Sequence, residues 1–331
     1  MRILVTGVAG YIGSNLAFRA KESGLDVSGI DGFADYYDPA IKRNTAVRLE
    51  AAGVEVFEGD LTAAASARPS PLAMEGRLMP LYLEGVDAVV HLAGQPGISG
   101  ATSWEDYQRN NVMATNRLVE AVKRIGTSVK FVNISSSSVY GLHAMDRESA
   151  APKPASWYGV TKLAAEQEVM AAQRSTDFSA CSLRLFSVYG ERERPEKLFP
   201  KLIRAIDLDL EFPLFEGSLE HQRSFTYVGD VCEGILATLG NWDRADGEIF
   251  NLGTDQCFTT GEAIRTVEEI MGKKANLKIV PQRLGDQKAT HANIDKIGSA
   301  LGWVPKTSLK DGLTKMVHWY MSEVKGKIDW V

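Results

Sequence analysis

Three glycines constrain the first sixty residues more than any other feature. Residues 3–13 read Ile-Leu-Val-Thr-Gly-Val-Ala-Gly-Tyr-Ile-Gly, so Gly7, Gly10 and Gly13 follow an apolar run and open a helical pattern. A strand that turns at once into a helix needs one glycine for the turn. It needs a second for close approach of backbone to ligand and a third for tight helix–strand packing. The amides at the mouth of such a helix suit a pyrophosphate, and Tyr11 and Ile12 belong to the same candidate cradle. The spacing is G-x-x-G-x-x-G, and turns use glycine freely, so the triplet needs support from its surroundings.

That support begins with Asp31, which ends the second apolar run 18 residues after Gly13. A carboxylate there accepts hydrogen bonds from both ribose hydroxyls and repels a 2′-phosphate, which favours NAD over NADP. As a plain turn residue before Gly32 it would do neither. Asp60 and Leu61 follow the third run and suit either the adenine edge or an ordinary loop. Leu92, Ala93 and Gly94 end the fourth, where small residues let a cofactor lie close; His91 reads as structural.

Strand-like runs at 2–6, 26–30, 54–58, 88–92 and 130–134 alternate with helix-like stretches, for example at 12–23, 106–124 and 156–174. That alternation predicts an α/β fold, a parallel sheet covered on both faces. After 182–186 the pattern changes. A helix is expected at 198–207, a strand at 224–228 with a helix after Asp230, and a strand at 248–252. A helix at 261–271, a short strand at 277–280 and a closing helix at 308–324 complete it. The expected division is a cofactor unit over 1–186 with returns at about 224–258, and a smaller lobe from 187–223 and 259–325. Pro69, Pro71 and Pro80 mark an irregular excursion at 63–80.

Composition narrows the partners. A net charge of −5 without a basic block argues against nucleic acid. No apolar run reaches the roughly 18 residues that a membrane helix needs. Cys181, Cys232 and Cys257 are scattered and the histidines isolated, so neither a disulfide scaffold nor a metal site is expected. No signal peptide precedes the first strand, and the expected location is the cytoplasm.

The second informative motif is Tyr158-Gly-Val-Thr-Lys162, preceded by the serine run Ser135 to Ser138. Tyr158 and Lys162 share a helix face. A free phenol, with a pKa near 10, is a poor base at neutral pH. A nearby ammonium and a positive nicotinamide ring stabilise the phenolate, which can then take an alcohol proton while hydride leaves carbon. Tyr-x-x-x-Lys alone is commonplace; beside a glycine cradle and a serine loop it points to hydride chemistry on an alcohol.

By these motifs the chain resembles the extended short-chain dehydrogenase/reductases, in the nucleotide-sugar epimerase branch, over about residues 1–320. The matching segments include Thr6–Gly13, Asp60-Leu61, His91–Gly94, Asn110–Val112, Ser135–Gly141, Tyr158–Lys162, Leu183–Gly190, Arg223–Val228 and Arg283–Asp286. The resemblance implies a Rossmann-like doubly wound parallel sheet with a smaller α/β C-terminal substrate lobe, bound NAD, and a UDP-sugar substrate. It implies Tyr158 as base, Ser136 on the sugar hydroxyl, Lys162 on the nicotinamide ribose and Asn111 ordering the active-site backbone. Arg223 and Arg283 would grip the diphosphate, Asp286 the uridine ribose, and Phe215 would lie near the uracil. It also implies a homodimer through the helices at 106–124 and 156–174.

The serine loop separates subfamilies. Sugar 4,6-dehydratases carry Thr-Asp-Glu, and UDP-glucuronate decarboxylases Thr-Ser-Glu, where this chain has Ser136-Ser137-Ser138. Without that carboxylate the resemblance favours plain 4-epimerisation through a 4-keto sugar. Asp31–Pro39, Leu92–Gly97 and Ser187–Pro195 resemble the UDP-glucuronate 4-epimerases, in which the positions of Ser187 and Arg194 meet the sugar carboxylate. A 4-keto glucuronate is a β-keto acid and prone to lose CO2. Hydroxyls of Ser137, Ser138 and Ser187 with the Arg194 guanidinium could hold the carboxylate out of alignment with the carbonyl π system. Three departures stand out: Gly32 where many relatives have Asn, Ile-Ser-Gly at 98–100 where glucuronate epimerases show an arginine, and Glu191 and Glu193 flanking Arg192. The rival readings are a UDP-glucose or UDP-N-acetylglucosamine 4-epimerase, a decarboxylating relative, and an NAD-sensing scaffold without catalysis.

Overall fold

Seven short parallel strands organise the computed structural model, which describes residues 1–62, 82–98, 102–125, 129–281 and 289–327. β1 (Arg2–Thr6) leads through the glycine turn into α1 (Tyr11–Glu22). β2 (Asp26–Asp31), α2 (Pro39–Ala51), β3 (Glu55–Glu58) and β4 (Ala88–His91) follow. A turn of helix at Trp104–Tyr107 runs through a π-helical segment, Gln108–Met113, into α3 (Ala114–Ile125). β5 (Lys130–Ser136), α4 (Trp157–Ser175) and β6 (Ala180–Leu185) complete the first half. The later elements are α5 (Leu198–Asp207), β7 (Glu211–Phe215), α6 (Val228–Gly240), β8 (Ile249–Leu252), α7 (Thr260–Met271), β9 (Asn276–Val280) and α8 (Leu309–Trp319).

The sheet order is β8-β6-β5-β4-β1-β2-β3, with every pairing parallel. β1, β4, β5 and β6 are buried along nearly their whole length, as strands covered on both faces must be. Ile3, Val5, Val90 and Leu183 pack on one face with Leu16 of α1 and Val231 and Ile235 of α6. Leu4, Val89 and Phe131 pack on the other with Leu118 and Val122 of α3 and Val169 and Met170 of α4. The chain is thus Rossmann-like, as its pattern predicts. A separate core joins Phe199, Leu202 and Ile203 of α5 to Ile264 and Val267 of α7 and Leu313 and Met316 of α8.

Two details differ from the sequence reading. Of the run at 224–228, Thr226–Tyr227 pairs with Val188–Tyr189 in a small sheet of its own, and only β8 returns to the main sheet. β7, where no strand is expected from the sequence, pairs in parallel with β9. The excursion at 63–80 lies outside the described residues. No described helix is long and apolar enough to cross a membrane.

Candidate active site

The carboxyl ends of β1, β2, β4, β5 and β6 face one edge of the sheet, where open α/β sheets bind ligands. At β1 the chain turns through Gly7, whose φ of +69° suits glycine. A Cβ on Gly7 would lie 3.0 Å from the Ala93 amide nitrogen, and one on Gly13 only 2.2 Å from the Gly7 carbonyl oxygen. The loop therefore fits flush against Leu92 and Ala93 and brings α1 down onto it. Gly10 precedes Tyr11 and Ile12, and the first turn of α1 has no side-chain cap, so its amides face the crevice ready for an anion.

Asp31 is buried at the end of β2. Its Oδ2 accepts from the Ala9 amide (3.0 Å) and its Oδ1 from the Phe33 amide (2.8 Å), and each oxygen keeps further acceptor capacity. The carboxylate is thus fixed beside the glycine loop. Asp60 is tied into its own loop: it accepts from Thr62 and from Arg109 Nη2 at 2.8 Å. Burial would raise its pKa, but these bonds hold it below the usual carboxylate value. Leu61 is buried in the core against α3. Flush glycines, an uncapped helix mouth and a fixed acid at the end of β2 fit a dinucleotide with free ribose hydroxyls.

Two residues brace this floor. Thr6 Oγ1 accepts from the Leu92 and Ala93 amides (both 3.1 Å), and His91 bridges Thr6 (2.8 Å) and Thr115 (3.0 Å). Burial lowers the His91 pKa to about 3, so the ring stays neutral; its role is structural. Asn111 sits in the π-helical segment, a geometry that often marks functional sites. Its Oδ1 accepts from the Gln95 amide (2.8 Å) and its Nδ2 donates to Thr161 (3.0 Å). A Cβ on Gly94 would come within 2.7 Å of Asn111 Oδ1. Asn111 thus ties the loop after β4 to α4.

Helix α4 carries Tyr158 and Lys162. Ser156 caps it by accepting from the Gly159 amide at 3.1 Å. Gly159 lies so close to the serine turn that a Cβ would meet the Ser138 carbonyl oxygen at 2.5 Å. One turn beyond Lys162, Glu166 makes a bidentate pair with Arg184 of β6 at 2.9 and 2.7 Å, both side chains buried. Arg184 also donates to Tyr140 Oη at 2.7 Å. Breaking such a buried pair costs about 3–5 kcal/mol, which pins α4 to the sheet.

The serine run forms the end of β5 and a 3₁₀ turn, Ser137–Tyr140. Ser136 Oγ accepts from the Ser138 amide at 3.1 Å. The Tyr158 phenol is raised by burial, while a hydrogen bond to Ser136, the charge of Arg194 and the Gly97 backbone pull it down. Lys162 is itself lowered by burial to about 8, against the pull of Glu166. In the chain by itself desolvation outweighs the attraction, with Ser136 and Arg194 the main opposing pull; the expected stabilisation of the phenolate also calls on the positive ring of a bound nicotinamide.

Sequence reasoning overlooked Tyr107 and Gly97. The Tyr107 ring lies 6.2 Å from that of Tyr158, and its hydroxyl donates to the Gly97 carbonyl at 2.7 Å. The positive φ expected of a glycine after Gln-Pro was the available signal for Gly97; Tyr107 gave none. Arg194, nearly buried, has its Nη2 3.3 Å from where a Gly97 Cβ would be, and its guanidinium stands over Tyr36. Ser187 follows β6 in a positive-φ conformation (+23°), rare for serine. Ser137 is buried and Ser138 half-buried. Phe215 ends β7, and Arg223 lies in the short strand Gln222–Arg223 beside Phe258. Arg283 and Asp286 lie outside the described residues. A shallow groove lined by Glu148, Glu248, Asn293 and Lys296 holds none of these residues, and the described residues contain no cluster able to hold a metal ion.

Residues 3–253 match the model of the NAD dependent epimerase/dehydratase family. The chain belongs to that family. UDP-glucuronate 4-epimerase 4 of Arabidopsis thaliana is 32% identical over 98% of this chain and 76% of its own length. An uncharacterized UDP-glucose epimerase of Bacillus subtilis is 34% identical over 99% of this chain and all of its own. The crystal structure of UDP-glucuronic acid 4-epimerase from Bacillus cereus, in complex with UDP-glucuronic acid and NAD, superposes with a TM-score of 0.87 at 32% identity. That match covers 97% of this chain and 99% of the other. Within this epimerase/dehydratase family, the turn after β5 in the present chain offers hydroxyls and no carboxylate.

Proposed function

We propose that the chain is an NAD-dependent UDP-glucuronate 4-epimerase, interconverting UDP-glucuronate and UDP-galacturonate through a 4-keto sugar. The observation that carries this is the convergence of Arg194, Ser136 and Gly97 on the Tyr158 phenol. A cation beside Tyr158 supports an acid sugar, and the lack of a carboxylate among Ser136, Ser137 and Ser138 argues against a dehydratase. The similarity to glucuronate epimerases over the whole chain supports it.

Gly7, Gly10, Tyr11, Ile12, Gly13, Asp31, Leu92, Ala93, Gly94 and Lys162 would hold NAD, with Asn111 bracing the loop after β4. Bound NAD supplies reversible hydride acceptance at C4 of the sugar and a positive ring charge. Tyr158, deprotonated, would take the proton of the C4 hydroxyl through an oxygen aligned by Ser136 and, once the keto sugar has turned over and been reduced, would return it to the C4 oxygen of the epimer. Lys162 holds the positive charge that favours phenolate. Ser137, Ser138, Ser187 and Arg194 orient the carboxylate away from the alignment that would release CO2. Phe215, Arg223, Arg283 and Asp286 are assigned to the UDP moiety. In this reading residues 1–186 and β8 form the cofactor unit, and 187–223 with 259–325 the sugar-nucleotide lobe. The working form is a cytoplasmic homodimer joined through α3 and α4. The exposed residues Trp157, Val160, Ala164 and Ala171 lie along one side of α4, with the exposed Gln167 between the two alanines.

Product analysis after incubation with UDP-glucuronate, UDP-glucose and UDP-N-acetylglucosamine tests the assignment; UDP-galacturonate without pentose is the expected product. The neutral-sugar rival is separated by Arg194→Ala. This change should weaken UDP-glucuronate by about 2–5 kcal/mol if the guanidinium faces the carboxylate in a dry site. Equal losses on UDP-glucose would remove the acid-sugar reading.

A further inference from the structure

Arg194 is not the only cation at Gly97. A side chain built on Gly97 would meet Lys197 Nζ at 3.1 Å as well as Arg194 Nη2 at 3.3 Å, so two positive heads converge on one residue. That residue is bound through its carbonyl by Tyr107 and touches the electrostatics of Tyr158. Like charges brought so close are costly unless something negative faces them. Two acids of the same loop do so unequally. Glu196, whose side chain is 46% exposed, pairs with Arg194 at 2.9 Å. Glu193 is buried, and its Oε2 has no hydrogen-bond partner among the described residues. Around Glu193 stand Lys197, Arg194 and Glu196 from its own loop, and Tyr11 from the first turn of α1.

We propose that Lys197 is the second cation of the sugar-carboxylate site, sharing that carboxylate with Arg194, and that Glu193 is the acid that competes with the substrate for both. The inference rests on the acid-sugar reading above and deepens it. It also accounts for a gap in the sequence: residues 98–100 read Ile-Ser-Gly rather than carrying an arginine, and the charge would come instead from the start of α5.

Glu193 makes the arrangement sensitive to pH. Burial pushes its carboxyl up to about 8, against the pull of Lys197 and Arg194. Below that value the neutral acid leaves the positive charge to an incoming carboxylate. Above it the ionised acid competes for the same cations and repels the ligand. A bound sugar carboxylate would raise Glu193 further, so acid sugars should bind with uptake of a proton near pH 8, whereas neutral sugars should not.

The test compares KM for UDP-glucuronate and UDP-glucose in the full-length protein. Lys197→Met should raise KM for UDP-glucuronate about tenfold or more and that for UDP-glucose far less, and Lys197→Arg should recover most of the loss. Glu193→Gln should flatten the rise of the UDP-glucuronate KM that the unmodified protein shows between about pH 7 and 9. Equal losses on both sugars, or none on either, would overturn the role of Lys197. Superimposable pH profiles for Glu193→Gln and the unmodified protein would overturn that of Glu193. Failure of the unmodified protein to turn over UDP-glucuronate would instead overturn the parent reading, a result that involves no variant.

Discussion

The chemistry of the site turns on which influence wins at Tyr158. Burial raises the phenol, and three local features pull it back: Ser136, Arg194 and the Gly97 backbone. A bound positive ring would add to the second group, so the base is made by the loaded site rather than by Lys162 alone. Tyr158→Phe should lower kcat at least about a hundredfold, the size of a lost general base, while leaving NAD affinity unchanged. Near-normal turnover would show that another group moves the proton. His91 makes a different prediction at this scale. Its pKa is about 3 in the folded chain against an ordinary 6.5, so between those values the unfolded chain binds the extra proton. Stability should therefore be intact above about pH 6.5 and fall by about 1.4 kcal/mol per unit below it. Urea unfolding at pH 7 and pH 5 should show this loss, and His91→Asn should reduce it.

At the scale of elements, the site depends on how closely α4 meets the serine turn. A Cβ at residue 159 would sit 2.5 Å from a backbone oxygen, and neither α4, anchored by the Glu166–Arg184 pair, nor the end of β5 can yield cheaply. Gly159→Ala should displace Tyr158 from Ser136 and lower kcat by about one to two orders of magnitude, because small misplacements of reacting groups are costly. A kcat within about twofold of the parent would mean that the turn adapts. This close approach was only half legible in the sequence. Tyr158, Lys162, the serines and the glycine triplet announced themselves through residue type and spacing, and the strands β1 to β5 through nearly continuous apolar runs. Asn111 was reached through the family resemblance, not through pattern. Tyr107 and Glu166 act through tertiary contacts that no local pattern encodes. α2 was covered only by the general alternation of strands and helices and was not placed by residue, although Asp38 caps it and Pro39 occupies its first turn, a recognisable start signal. Its scattered apolar positions hid the period. β7 was missed because Pro213 and the flanking acids of a strand paired on one side only read as loop.

The whole molecule adds one further demand. α3 and α4 pack together over one face of the sheet, and Asn116 of α3 bonds Glu168 of α4. The outer surface of α4 is left with Trp157 and Val160 exposed, Trp157 by 56%, near Met113 at the end of the π-helical segment, and Ala164, Gln167 and Ala171 continue the same helical row. Small residues at that spacing allow another helix to approach closely, and a two-fold partner would present the same row in return. Trp157 immediately precedes Tyr158, so a second copy seated there would also stabilise the start of the catalytic helix. Light scattering should therefore give twice the chain mass. Val160→Glu, placing a charge in the middle of the row, should give a single chain with lower kcat and unchanged substrate preference. A monomeric parent protein would sink the pairing. A dimeric Val160→Glu would place the contact elsewhere, and the exposed row on α4 would then have to be explained by the chain alone.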